Sequence, residues 1–353
     1  MGIRLRKTEG LIGLPPLRQK QRARTGHGTV VPEPARPGDF RAPSVSRFVR
    51  KGWETTTLLL LLFVSSALLH AQQDSDTTLH LNVKLVNVFV NVTDHNGAIV
   101  GGLTKDDFAV TEDGRPQKIA LFERQSAVPL AITLAIDTSG SVRKDMNEEA
   151  SAAKRFARAI LRPQDQMSVL QFATNVSVLT PFTNNLSRID HALGDLHADW
   201  ATALYDAIRD GSEALGSKQG RKVLVLISDG DDTVQNSTYG QALAAALRNE
   251  VMIYSLIDVP IAASAGRDTG GEHALITIAE QTGGKHYYVE AAGGLDAAFK
   301  QVSDDLRTQY LIGYYPQNQE PGTDFHRIHV TIPRAAPDEF DVRHRTGYYA
   351  DSQ

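Results

Sequence analysis

Apolar and polar positions alternate with a period of two along residues 79–92, which predicts a strand with one buried face. Asp94-His95-Asn96-Gly97 predicts a turn. Two more strands, at residues 107–112 and 117–122, flank Asp113-Gly114, a hairpin signal. From Pro129 the pattern switches to uninterrupted apolar runs separated by stretches of helical period. The runs at 130–136, 167–172, 223–228 and 251–257 predict buried strands, and 176–179 makes a hairpin with its predecessor at the sheet edge. Helices are predicted at 147–161, 186–196, 202–215, 240–249, 273–281 and 295–309, with a last short strand at 286–289. Beyond them, residues 310–316, 325–333 and 342–349 read as three strands.

Alternation of strands and helices predicts a doubly wound, mostly parallel α/β sheet over residues 128–309. The β segments at 79–126 and 310–353 are each too short to bury much core alone. They are expected to pack together as flanking β-sandwich-like strands, with the α/β domain inserted between them. The N-terminal segment resembles a small immunoglobulin-like β module.

The chemistry sits at strand ends. The apolar run 130–136 leads directly into Asp137-Thr138-Ser139-Gly140-Ser141, and the run 223–228 leads into Asp229-Gly230-Asp231-Asp232. Thr202 stands at the start of the helix between them. Ligands bind at the carboxyl ends of strands in open α/β sheets. Carboxylate and hydroxyl oxygens are hard donors suited to Mg²⁺, Mn²⁺ or Ca²⁺. An alternative reading makes Ser139 and Ser141 caps of a helix near Val142, with Asp229 supporting a turn.

Asp-x-Ser-x-Ser, the Thr-Ala-Leu-Tyr-Asp-Ala helix opening and the strand ending in Ser-Asp-Gly together resemble the von Willebrand factor type A family and its metal-ion-dependent adhesion site. Trp200-Ala201 stand where that family often has glycines. The resemblance implies a Rossmann-like fold, with Ser139, Ser141 and Thr202 as hydroxyl ligands and Asp137 and Asp229 holding the metal directly or through water. A metal with an open position can accept a carboxylate from a protein partner. With its β segments included, the chain resembles the von Willebrand factor A-related proteins of acidobacteria, a resemblance that implies no known reaction.

Other candidates read as structural. Asp231 and Asp232 are expected to be solvated loop residues, and Asp206 a helix residue. Tyr314, Tyr315, Tyr348 and Tyr349 are expected in core and rim rather than as a binding stripe. His326, His329 and His344 fall on neighbouring strands, where a metal site is a secondary reading. A phosphohydrolase-type enzyme needs a second acidic residue two along from Asp137, where Ser139 stands; no Gly-x-Ser-x-Gly elbow surrounds the serines. A metal-independent scaffold for envelope assembly is the other alternative.

Charge separates the termini from the body. Residues 1–54 carry 12 Lys or Arg against 4 Asp or Glu, a net of +8, so the remainder, with 25 basic and 37 acidic residues, carries −12. An acidic body argues against nucleic acid. The leader 1–54 is rich in Arg, Pro and Gly and reads as disordered, which suggests a translation start nearer Val49. Residues 55–71 read as the apolar core of a signal peptide, the alternative being an uncleaved N-terminal anchor and the one predicted contact with a membrane. The chain has no cysteine, which excludes cysteine catalysis and a lipid-anchoring cysteine. A secreted, periplasmic or envelope-associated protein is expected.

Overall fold

The computed structural model describes residues 85–124, 127–140, 146–258, 269–289, 293–317, 324–336 and 339–350. The basic leader, the apolar segment at 55–71 and Ser141 lie outside them. Among the described residues no helix is long and apolar enough to cross a membrane.

Among the described residues, fourteen strands form three sheets. The first four are β1 (Val86–Asp94), β2 (Ala109–Glu112), β3 (Arg115–Gln117) and β4 (Ile119–Arg124). The α/β region follows with β5 (Leu130–Asp137), α1 (Met146–Ile160), β6 (Gln166–Phe172), β7 (Val176–Thr183), α2 (Leu186–Ala192) and α3 (Leu204–Gly216). It continues through β8 (Arg221–Ser228), α4 (Tyr239–Arg248), β9 (Val251–Ile257), α5 (Thr269–Gln281), β10 (His286–Tyr288) and α6 (Gly294–Arg307). The chain closes with β11 (Tyr310–Tyr314), β12 (Phe325–Thr331), β13 (Phe340–Arg343) and β14 (Gly347–Tyr349).

The six-stranded sheet has the order β10-β9-β8-β5-β6-β7. Its strands are parallel except β7, which pairs antiparallel with β6 at the edge. All eight residues of β5 are buried, which explains why its sequence is a continuous apolar run rather than an alternating one. Leu130, Ile132, Leu134 and Ile136 face a core built with α1, α2 and α6, whereas Ala131 and Ala135 face a core built with α3, α4 and α5. Helices therefore cover both faces, and the doubly wound α/β fold expected from the sequence is the observed one.

The remaining strands form two four-stranded sheets, β13-β1-β11-β4 and β14-β12-β2-β3. Each mixes strands from before and after the α/β region, and Val86, Val88 and Tyr314 of one share a core with Val110, Val330 and Tyr348 of the other. β4 and β11, the strands that enter and leave the α/β region, pair with each other, Arg124 opposite Tyr310.

Two predicted strands are each divided between the sheets. The stretch 117–122 splits at Lys118, so that β3 joins β2 and β4 joins β11. The stretch 342–349 splits at residues 344–346, with β13 on β1 and β14 on β12. Periodicity reports a buried face but not which sheet buries it, so a strand that changes sheet reads as one run. The Asp113-Gly114 hairpin is present, with φ of 50° and 78° as a tight two-residue turn requires. The predicted strand at 107–112 instead begins with a short 3₁₀ turn at Lys105–Asp107.

Ionic contacts tie the α/β region to the β sheets, one of them the largely buried Asp305–Arg343 pair and the other between buried Arg345 and exposed Glu250. Arg343 of β13 donates to Asp305 Oδ2 of α6 at 3.0 Å, and the Tyr287 hydroxyl donates to the same oxygen at 3.1 Å. Arg345 pairs with Glu250 at 3.1 Å and donates to the Asn87 carbonyl at 2.9 Å. Removing one member of a buried pair leaves the other charge uncompensated. Asp305→Ala is therefore expected to lower stability by about 3 kcal/mol, read as a fall in the urea midpoint, with Asp305→Asn losing less.

Candidate metal site

Strand order places the site. The chain leaves β5 toward β6 on one side, and β8 lies on the other, so the β5–β8 boundary is the point where the winding reverses, and crevices form there at the carboxyl ends of the strands. Ile136 lies opposite Ile227, so the next residues on the two strands, Asp137 and Ser228, meet at the rim.

Asp137 is 1% exposed. Its Oδ1 accepts from the Ser139 backbone N–H at 2.9 Å and its Oδ2 from the Ser228 hydroxyl at 2.7 Å. Burial pushes its carboxyl up to about 6, against the hydrogen bonds of Ser139 and Ser228, and the negative charge of Asp229 adds to the rise. Ser139 is buried as well, and Asp229 is half-buried, its Oδ1 accepting from the Asp231 N–H at 3.3 Å.

The Thr202 loop is held between the other two. Asp199 N–H donates to the Thr138 carbonyl at 3.0 Å and Ala203 N–H to the Ala173 carbonyl at 2.8 Å, which pins the chain on both sides of Thr202. On its other flank Thr202 N–H donates to the Thr233 hydroxyl at 2.8 Å, and its carbonyl accepts from the Thr233 N–H at 2.9 Å. Thr202 is thus fixed between the loop that carries Asp137 and the loop that carries Asp229. Gly230 makes the latter possible: it has φ of +100°, and a Cβ there would lie 2.7 Å from the Gly271 backbone at the start of α5.

Two expectations need correction at the rim, and that for Asp206 holds. Thr202 does not open α3; the helix begins at Leu204, and Asp232 receives its first N–H groups, including Tyr205 N–H at 3.3 Å. Asp232 is therefore a half-buried helix cap rather than a solvated residue. Asp206 is structural, accepting from the Ser237 hydroxyl at 2.5 Å and pairing with Arg209 at 3.2 Å. Ser228 escaped the sequence reading; its signal was its place beside Asp229 at the end of the strand that pairs with β5. Trp200, 88% exposed, stands in the Thr202 loop as a bare aromatic surface.

The three histidines named from sequence do not form one cluster. His344 uses both ring nitrogens on backbone groups, Nδ1 at 2.7 Å from the Arg345 carbonyl and Nε2 accepting from Val330 N–H at 3.1 Å. Tyr314 and Tyr348 are fully buried, and Tyr315 is half-exposed, a core-and-rim arrangement.

Residues 132–231 match the family model of the von Willebrand factor type A domain, a span that contains all five candidate ligands. The chain carries a von Willebrand factor type A domain. No curated protein matches the sequence. Among solved structures, the type A domain is similar to the conserved hypothetical protein BatB from Bacteroides thetaiotaomicron, at 18% identity over 50% of this chain and 97% of that one, with a TM-score of 0.41. It is similar to the vWF domain of the type V pili tip protein Mfa5 from Porphyromonas gingivalis, at 12% identity over 51% and 95% of the two chains and a TM-score of 0.41. Proximal thread matrix protein 1 from the mussel byssus, solved with a zinc-occupied MIDAS motif, is 16% identical over 52% of this chain and 49% of that one, with a TM-score of 0.41.

Asp137 makes the stability of the metal-free type A domain depend on pH. A carboxyl held near 6 when folded, above its ordinary 3.8, binds its proton more tightly in the folded state. Its contribution to stability is therefore greatest in acid and is lost as pH rises through about 6. In EDTA, Asp137→Asn is expected to be more stable than the parent near neutral pH by on the order of 2 kcal/mol. The gap should close as pH falls to the ordinary carboxylate range, as followed by denaturant unfolding across pH.

Proposed function

We propose that the type A domain binds a protein partner through a divalent cation, Mg²⁺ or else Mn²⁺ or Ca²⁺. Asp137, Ser139, Ser141, Thr202 and Asp229 would hold it, Ser141 lying outside the described residues. One observation carries the reading: Asp137 is a carboxylate buried at the strand-end crevice, where desolvation and the neighbouring Asp229 charge oppose its ionisation against the hydrogen bonds of Ser139 and Ser228. A divalent ion would supply the missing positive charge, and the oxygen-only donor set suits a hard cation. Bound there, the ion would offer an open position to a partner carboxylate.

The exposed Trp200 supports a docking face around that position, since large aromatics beside a polar centre are common anchors of protein interfaces. The β sheets formed by residues on either side of the insertion would serve as the platform, with 79–126 and 310–353 as one module and 128–309 as the binding domain. The apolar segment 55–71, read as a signal peptide, supports a secreted, periplasmic or envelope-associated location. A non-enzymatic role fits a site whose aspartate oxygens are both engaged by Ser139 and Ser228.

Trp200 provides a direct readout, because the sequence holds only one other tryptophan, Trp53. In a full-length Trp53→Phe background, Mg²⁺ or Mn²⁺ is expected to change Trp200 fluorescence saturably. The apparent affinity should fall at least tenfold in Asp137→Ala and in Asp229→Ala, with the unfolding transition kept. Partner capture should be lost in EDTA and in both variants. Capture that survives EDTA in Asp229→Ala would instead establish a metal-independent scaffold.

A further inference from the structure

A second cluster of ligating side chains lies in the β sheets, away from the strand-end crevice. Glu112 ends β2, Asp113 begins the turn to β3, and His326 lies on the neighbouring β12. Consecutive strand residues face opposite ways, but Asp113 sits at φ 50°, and its carboxylate turns back to the His326 ring. It is locked there: Asp113 N–H donates to the Arg327 carbonyl at 2.9 Å, and Arg327 N–H donates to Asp113 Oδ1 at 2.8 Å. The other oxygen, Oδ2, is 2.8 Å from His326 Nδ1, and Glu112 Oε1 is 3.9 Å from the same nitrogen. One ligand atom from each residue lies within 4.8 Å of both others.

Glu112 and His326 are almost completely buried, at 3% and 2% exposure. The hydroxyls of Tyr314 and Tyr348 donate to Glu112 Oε2 at 2.7 and 2.9 Å, which orients Oε1 toward the histidine. The His326 ring packs on Tyr348 with centroids 5.3 Å apart. Such outer hydrogen bonds are what fix ligand orientation around a bound metal.

We infer that Glu112, Asp113 and His326 form a second metal site, specific for a borderline divalent cation of the zinc type. Ligand atoms around a tetrahedral zinc lie about 3.3 Å apart, and the separations of 2.8 and 3.9 Å at His326 Nδ1 bracket that value. One imidazole nitrogen with two carboxylate oxygens is a mixed donor set, unlike the all-oxygen set at Asp137. Two carboxylates and a neutral imidazole would balance the ion's charge in a buried place. Asp113, the exposed member, leaves the fourth position open to water. Binding through His326 Nδ1 takes the tautomer that carries the ring proton on Nε2, so the contact between Nδ1 and Asp113 gives way to the metal. The metal would clamp the β2–β3 turn onto β12, across two strands far apart in sequence.

The test is calorimetric titration of Zn²⁺ into the full-length protein carrying Asp137→Ala, which removes the crevice site. One equivalent is expected to bind and to raise the melting temperature. Asp113→Asn keeps the turn, because Asn tolerates the left-handed conformation and still accepts from Arg327 N–H. It should weaken binding about tenfold or more, and His326→Gln should do the same. Co²⁺ should give the visible bands of a tetrahedral ion. An absence of Zn²⁺ binding in the Asp137→Ala protein would overturn the inference. So would binding that neither Asp113→Asn nor His326→Gln alters, since the ion would then sit on other histidines. Neither result bears on the Mg²⁺-type reading of the crevice.

Discussion

Desolvation of the Asp137 carboxylate is the constraint around which the α/β region is organised. A strand buried on both faces has no wet side, so whatever follows its last apolar residue starts from a dry position. Asp137 stands there, and the fold answers with Ser139 N–H on one oxygen and the Ser228 hydroxyl on the other. Those two contacts work against the desolvation, and the neighbouring Asp229 adds to it. A buried carboxylate whose ionisation is opposed in this way is the kind of group found at binding sites more often than in a stabilising core, and the proposed cation would relieve it.

The same logic of buried charge acts differently at the junction between the type A domain and the β sheets. There Asp305 meets Arg343, and Glu250 meets Arg345, so the charges are matched within the chain. Insertion needs only that entry and exit lie close together, and the pairing of β4 with β11 supplies that. The ion pairs add orientation, since each joins a residue of the inserted region to one of β13 or the segment after it, and Tyr287 holds Asp305 in place for its pair.

The two candidate metal sites differ in donor chemistry and in construction. The crevice site brings together oxygens alone, at a strand end and in the loops beside it. The Glu112–Asp113–His326 group is set into a sheet, with its carboxylates held by tyrosine hydroxyls and a backbone amide. All-oxygen donor sets suit magnesium or calcium, and sets that include an imidazole suit zinc.

Much of this was legible in the chain itself. Strand-ending Asp137 and Asp229, the helix-length periods between them and the Asp113-Gly114 turn are local signals, since each depends on residues within a few positions. The type A fold and its Asp137 and Asp229 loops followed from them. What the sequence could not show depended on strand pairing. Ser228 reaches Asp137 only because β8 lies against β5 in one register. Asp232 caps α3 because two loops meet. The runs 117–122 and 342–349 divide between sheets because apolar spacing identifies a buried face without naming its partner. His326 lies more than two hundred residues from Glu112 and Asp113, and strand pairing with a backbone turn at Asp113 brings the three together. Local chemistry was written in the sequence, whereas contacts between distant strands were decided by tertiary packing, where burial and register choose among many arrangements that short-range patterns leave equal.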